Sequence, residues 1–152
     1  MKNKNLKEML DGVIFIVNNE ISSSIEVDIN SNCEDDIFIY CDDIHTKEVI
    51  YNIIKNAVES IETNKKGKIR INVFKDKKSI TVSISDNGKG ISKSELNYIY
   101  KPFYTTKKFR NNLGLGLTYC AHVMQKHGGN IFIKSKENLG TTVFLTFPAK
   151  RE

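Results

Sequence analysis

Apolar residues follow two periods along this chain, and the switches between them mark the element boundaries. Leu6, Met9, Leu10, Val13, Ile14 and Val17 recur at three- and four-residue spacings, which predicts an amphipathic helix over residues 6–18. Ile25, Val27 and Ile29 alternate as in a short strand; Asn30 to Asp36 reads as a polar turn, and Ile37 to Cys41 as a second short strand. Helical spacing returns at Val49, Ile50, Ile53, Ile54, Ala57, Val58 and Ile61. Asp42 or Asp43 stands where an N-cap belongs, and this helix runs to about Glu62. Its other side is a polar lane of Glu48, Asn52, Asn56 and Glu59.

Asn64 to Lys68 breaks the helix. Ile69 to Phe74 and Ile80 to Asp86 then predict a hairpin across Asp76 to Ser79. In its second strand Ile80, Val82 and Ile84 share one face, and Asp86 has their parity. Ser92 with Glu95 forms a capping-box pattern that opens a short helix to about Tyr100, stopped by Pro102. Residues 102–113 show no period and read as a long, flexible lid loop. A helix follows from Gly114 to about His127, halted by Gly128-Gly129. Asn130 to Ser135 and Thr141 to Phe147 form the closing hairpin, and Pro148 ends the order. Strand pairs separated by helices predict an α/β fold: a mixed, mostly antiparallel sheet packed on three helices as a two-layer sandwich. The 152 residues fit one domain, 1–152, with a real core.

Composition narrows the classes. Hydrophobic residues at 39% and charged ones at 27% are ordinary for a soluble globular chain. With no membrane-length apolar run and no signal pattern, a cytoplasmic domain without membrane contact is expected. Cys33, Cys41 and Cys120 are odd in number and lack metal spacing, so they read as reduced thiols. The net charge of +5 is spread over turns (Lys65, Lys66, Lys68; Lys75, Lys77, Lys78) with no basic stripe among aromatics, which argues against a nucleic-acid partner. Lys107, Lys108 and Arg110 stand apart, between two glycine-rich stretches. His45, His122 and His127 have no metal spacing and no nucleophile partner.

Four pieces carry candidate chemistry for a nucleotide. A carboxylate at Asp86 matches the exocyclic amine of adenine, and Gly88 and Gly90 permit close backbone approach to a flat ring. Gly114 and Gly116 open a helix, where backbone N–H groups favour phosphates, with Lys107 nearby. The Asn56 side chain can offer Mg²⁺ one oxygen. Each piece has a plainer reading: an Asp-Asn-Gly turn, a solvated helix face at Asn52 and Asn56, tight helix packing at Gly-Leu-Gly-Leu, a plug of Phe103 and Tyr104 over the core. Their co-occurrence in order favours the nucleotide.

The same pieces resemble the nucleotide-binding boxes of sensor histidine kinases over nearly the whole chain, from about Leu6 to Pro148. Asn52-Ile-Ile-Lys-Asn56-Ala57-Val-Glu-Ser is similar to their N box, and Asp86-Asn-Gly88-Lys-Gly90-Ile91 to the G1 box. Lys101-Pro-Phe103-Tyr-Thr-Thr106-Lys107 is similar to the F box, Gly114-Leu115-Gly116-Leu117 to the G2 box, and Gly140-Thr141-Thr142-Val-Phe144 to the final Gly-Thr element. The resemblance implies the Bergerat ATP-binding fold, with ATP and Mg²⁺ as ligands. It implies that Asp86 contacts the adenine amine, Asn56 holds Mg²⁺, and Gly114 and Gly116 flank the phosphates at the end of an ATP lid. Lys107 and Arg110 would lie over the phosphates, and Thr141 or Thr142 would support the adenine. Asn52, Ile91, Phe103, Thr106, Leu113, Leu115 and Leu117 complete the implied ATP-binding set.

Relatives of this superfamily that hydrolyse ATP or phosphorylate serine carry a glutamate base four residues before the Mg²⁺-binding asparagine. This chain has Asn52 there, which cannot take a proton. The resemblance therefore implies transfer to a histidine. No histidine here is followed by an acid, so the phosphoacceptor and its dimerisation domain are expected on a partner, a response regulator downstream, and the isolated chain as a monomer. No residue of this chain is assigned a catalytic role. A stand-alone regulatory module of the same fold, anti-sigma-like or degenerate, is the competing expectation; a ligand-free α/β domain is a third.

Overall fold

The polar opening of the chain forms a strand that alternation does not reveal. In the computed structural model, which describes residues 1–22, 25–62, 65–99 and 115–149, β1 (Lys2–Asn5) pairs antiparallel with β3 (Phe38–Cys41) as a small separate sheet. Lys-Asn-Lys-Asn has no apolar period; the strand exists because its ladder partner is there. Asn5 ends it and caps α1 (Leu6–Glu20), accepting from the Glu8 N–H at 3.0 Å. Leu6, Met9, Leu10, Val13 and Val17 are buried, as the spacing requires.

The main sheet has five strands in the order β2, β4, β5, β7, β6. β4 (Gly67–Lys75) and β5 (Ser79–Asp86) form the expected hairpin, turned by Asp76, whose carboxylate accepts from the N–H groups of Lys78 (2.7 Å) and Ser79 (2.8 Å). β6 (Asn130–Lys136) and β7 (Gly140–Pro148) form the closing hairpin, and β7 inserts beside β5. β2 (Val27–Asn32) lies at the edge, parallel to β4. It extends into residues read from sequence as a polar turn. Asp28, Asn30 and Asn32 are exposed while Val27, Ile29 and Ser31 are half-buried, so its polar residues line an open face rather than a turn.

α2 (Asp43–Ser60) is the centre of the helical layer, capped by Asp42, which accepts from the His45 N–H at 2.9 Å. It packs between α1 and α4 (Leu115–Lys126) and over β4 and β5. Val49, Ile50, Ile53, Ile54 and Ala57 are buried against the sheet. His127 joins α4 to the start of α2: its Nε2 accepts from the Asp42 N–H at 3.0 Å, which leaves the proton on Nδ1 to be donated to the Val123 carbonyl at 2.7 Å. Ser92 caps α3 (Lys93–Leu96) by accepting from the Glu95 N–H, but this helix is one turn, shorter than the capping box promised. The lid stretch 102–113 and Gly114 fall outside the described residues. No described helix is long and apolar enough to cross a membrane.

Candidate nucleotide site

Asp86 ends β5 at the helical layer. Its ladder partners are Ile69 on β4 and Thr141 on β7, and its carboxylate accepts from the Gly88 N–H at 2.8 Å. Burial raises its pKa, and the Gly88 N–H favours the ionised form and offsets part of that rise. A half-buried carboxylate placed so, at the end of β5, is an acceptor complementary to an amine donor.

The loop after Asp86 is not a hairpin turn. Asn87 accepts from the Lys68 N–H at 2.8 Å and donates to the Lys66 carbonyl at 3.0 Å, tying the loop to the start of β4. The Lys89 N–H donates to the Ser60 carbonyl at 2.9 Å, and the Lys89 carbonyl accepts from the Asn138 N–H at 2.7 Å. The loop is thus held between the end of α2 and the β6–β7 turn. Its glycines have an intramolecular reason. A Cβ at Gly88 would sit 2.7 Å from the Ser60 carbonyl oxygen; one at Gly90, where φ is +69°, would sit 2.1 Å from the Lys136 carbonyl oxygen.

Register separates the two threonines that sequence left as alternatives. Thr141 is opposite Asp86 and shares its face, whereas Thr142 is opposite Ser85 and hydrogen-bonds its hydroxyl at 2.8 Å on the far side of the sheet. Thr142 therefore stands on the opposite face from Asp86. Ser135, which the sequence reading did not name, stands on the same face as Asp86 beside Thr141. Its hydroxyl donates to the Gly140 carbonyl at 3.0 Å, accepts from the Ile91 N–H at 2.8 Å and lies 2.7 Å from the Thr141 hydroxyl. Strand parity was the available signal, because Ser135 pairs with Thr141.

Asn52 and Asn56 are half-buried on α2. The Cys120 thiol on α4 donates to the Val49 carbonyl at 4.0 Å; burial pushes that thiol up to about 12, so Cys120 is no nucleophile at neutral pH. Among the described residues no group of three or more His, Cys, Asp or Glu side chains converges on a metal position. The Asn56 side chain carries a neutral amide oxygen of the kind Mg²⁺ accepts alongside phosphates and water.

α4 starts within the described residues at Leu115, and its first turn carries Gly116 and Leu117, the latter packed against the core. A Cβ at Gly116 would meet nothing within 4 Å among the described residues. Phe103, Thr106, Lys107, Arg110, Leu113 and Gly114 lie outside the described residues. A surface groove lined by Lys75, Asp76, Lys77 and Ala149 lies at the opposite end of β5 from Asp86 and has none of these features.

Comparison with known proteins agrees with this geometry. Residues 41–151 match the histidine kinase-, DNA gyrase B- and HSP90-like ATPases. The chain is 37% identical over 125 residues to sporulation kinase D of Bacillus subtilis (strain 168), covering 82% of this chain and 24% of that protein. The catalytic domain of histidine kinase ThkA superposes with a TM-score of 0.81 at 28% identity, covering 99% of this chain and 98% of that one. ThkA in complex with response regulator protein TrrA matches at a TM-score of 0.79 and 25% identity, covering 98% of this chain and 42% of that one. The chain therefore spans about a quarter of the length of the sporulation kinase it matches. It belongs to the histidine kinase-, DNA gyrase B- and HSP90-like ATPase family, as a catalytic ATP-binding domain of the sensor histidine kinase kind.

Proposed function

We propose that this domain binds Mg-ATP between α2 and the sheet and passes the γ-phosphoryl to a histidine on a separate helical dimerisation domain, from which it reaches a response regulator. The observation that carries the reading is Asp86: a half-buried carboxylate at the end of β5, held by the Gly88 N–H and on the same face as Thr141, whose hydroxyl lies 2.7 Å from that of Ser135. Asp86 accepts from the adenine amine, and Thr141 supports the ring. Asn56 would supply its side-chain oxygen to Mg²⁺, which when bound would neutralise part of the phosphate charge. The first turn of α4 offers backbone N–H groups to phosphate, and Gly116 leaves them uncovered. Lys107 and Arg110 add positive charge from the lid. Asn52, a neutral amide, takes no proton, so the acceptor must bring its own nucleophilicity, as an imidazole does. That the similar ThkA is known in complex with a response regulator supports the last step.

Calorimetry of the wild type and Asn56→Ala, with ATP and with adenosine, each with and without Mg²⁺, tests this. Wild type should bind ATP more tightly with Mg²⁺ and adenosine equally with or without it; Asn56→Ala should lose only the Mg²⁺-dependent gain. A folded wild type that takes up no ATP overturns the reading.

A further inference from the structure

Hydroxyl pairs link β7 to both of its neighbours. Thr81 with Thr146 (3.3 Å) and Ser85 with Thr142 (2.8 Å) join β5 to β7, and in each pair either oxygen can donate. Ser135 on β6 with Thr141 on β7 (2.7 Å) lies in the row that continues to Asp86 on β5. Here backbone groups fix the direction. The Ser135 hydroxyl has one hydrogen and two lone pairs. The Gly140 carbonyl at 3.0 Å takes the hydrogen, and the Ile91 N–H at 2.8 Å takes one lone pair. Only a lone pair is left for Thr141, so the Thr141 hydroxyl is the donor.

The plain account is a strand serine that satisfies two backbone groups, with a cross-strand pair that adds a little to the sheet. That account covers Ile91 and Gly140 and leaves out the effect on Thr141. With its hydrogen committed to Ser135, Thr141 offers a ligand lone pairs alone. The ionised Asp86 carboxylate in the same row also only accepts. Two acceptors therefore stand side by side on one face, and neither side chain brings a donor. A ligand edge carrying an amine is matched there. An edge carrying an oxo oxygen leaves both acceptors without the hydrogen bonds that water gave them.

We propose that Ser135 is a positioning residue for nucleobase specificity: by holding the Thr141 hydrogen it keeps the Asp86–Thr141 row acceptor-only, which selects a 6-amino purine against a 6-oxo purine. The proposal rests on Asp86 reading the nucleobase, as argued above. Ser135 touches no ligand atom in this role and acts through Thr141. Without Ser135 the Thr141 hydroxyl turns and donates, and an oxo group gains a partner.

The test is calorimetry with ATP and with inosine triphosphate, which carries a 6-oxo group, each with Mg²⁺. Wild type should prefer ATP about 10-fold or more. In Ser135→Ala the preference should shrink about 5-fold, chiefly through tighter binding of inosine triphosphate, a gain that damage to the fold does not produce. Ser135→Thr, which keeps the hydroxyl, should keep the preference. Ser135→Cys, a weaker partner of similar shape, should shift the preference the same way as Ser135→Ala and decides the matter where that variant does not fold. In a Thr141→Val background, adding Ser135→Ala should change the preference no further. An unchanged preference in folded Ser135→Ala or Ser135→Cys, equal losses for both nucleotides, or a shift that persists in the Thr141→Val background would overturn the role of Ser135 alone. A wild type without preference would overturn the reading of Asp86 beneath it.

Discussion

The Asp86–Gly90 loop and the first turn of α4 both carry glycines, yet a methyl group added to each meets different surroundings. At Gly88 and Gly90 it meets carbonyl oxygens of Ser60 and Lys136, at 2.7 and 2.1 Å. At Gly116 it meets nothing within 4 Å among the described residues. The first pair is glycine because the protein packs against itself there; at the second position the packing of the described residues makes no such demand. An alanine at Gly116 would improve the helix, and on the proposed function glycine there leaves room for phosphate. Two motifs that look alike in sequence thus meet different surroundings among the described residues.

Gly90→Ala should break the comparison on the folding side with the largest effect. A left-handed φ and a backbone clash together should cost about 3 kcal/mol or more, read as a fall in the urea midpoint. Asp86→Asn should do the reverse. Its ATP affinity should drop about 100-fold, since a neutral amide replaces a charge-assisted acceptor. The folded pKa of Asp86 is raised by burial, so its contribution to stability is fully present below the unfolded pKa and lost as pH rises through the folded one. At pH 7 the buried charge therefore opposes folding, and the ligand-free variant should melt no lower than the wild type, its advantage shrinking as pH falls through the raised folded pKa and gone below about 4. Gly116→Ala sharpens the contrast. Its ligand-free melting temperature should rise by about 1–4 °C as helix propensity improves. Its ATP affinity should fall, and a variant that binds as tightly as the wild type would remove the reason given for this glycine. The smallest effect belongs to Tyr119, whose hydroxyl donates to Glu48 and links α4 to α2. Tyr119→Phe should lower the melting temperature by about 1–3 °C and leave ATP affinity within about twofold.

How much of this was legible depends on what kind of signal each residue sends. Periodicity located α1, α2 and the two hairpins because each buries one face, and the parity of Asp86 with Ile80, Val82 and Ile84 placed its carboxylate at the helical layer. β1 was illegible: Lys-Asn-Lys-Asn becomes a strand only through its pairing with β3. The order of strands was also hidden, since β7 inserts between β5 and β6 by contacts far apart in sequence. At the site, the choice between Thr141 and Thr142 needed the register, because one residue of slip exchanges the faces. Ser135 escaped notice because a single serine has no motif; its partners Ile91, Gly140 and Thr141 are brought to it by the fold. The boxes proposed site residues, and the structure showed that Gly88 and Gly90 matter to the protein's own packing.

The central claim is that Asp86 reads the nucleobase, and calorimetric titration of ATP into the wild type and Asp86→Asn tests it most directly. The account predicts binding by the wild type and about 100-fold weaker binding by a variant that melts at the same temperature or higher. Equal affinity in the two proteins would contradict it, because the carboxylate would then be a structural group and the nucleotide would have to be held elsewhere.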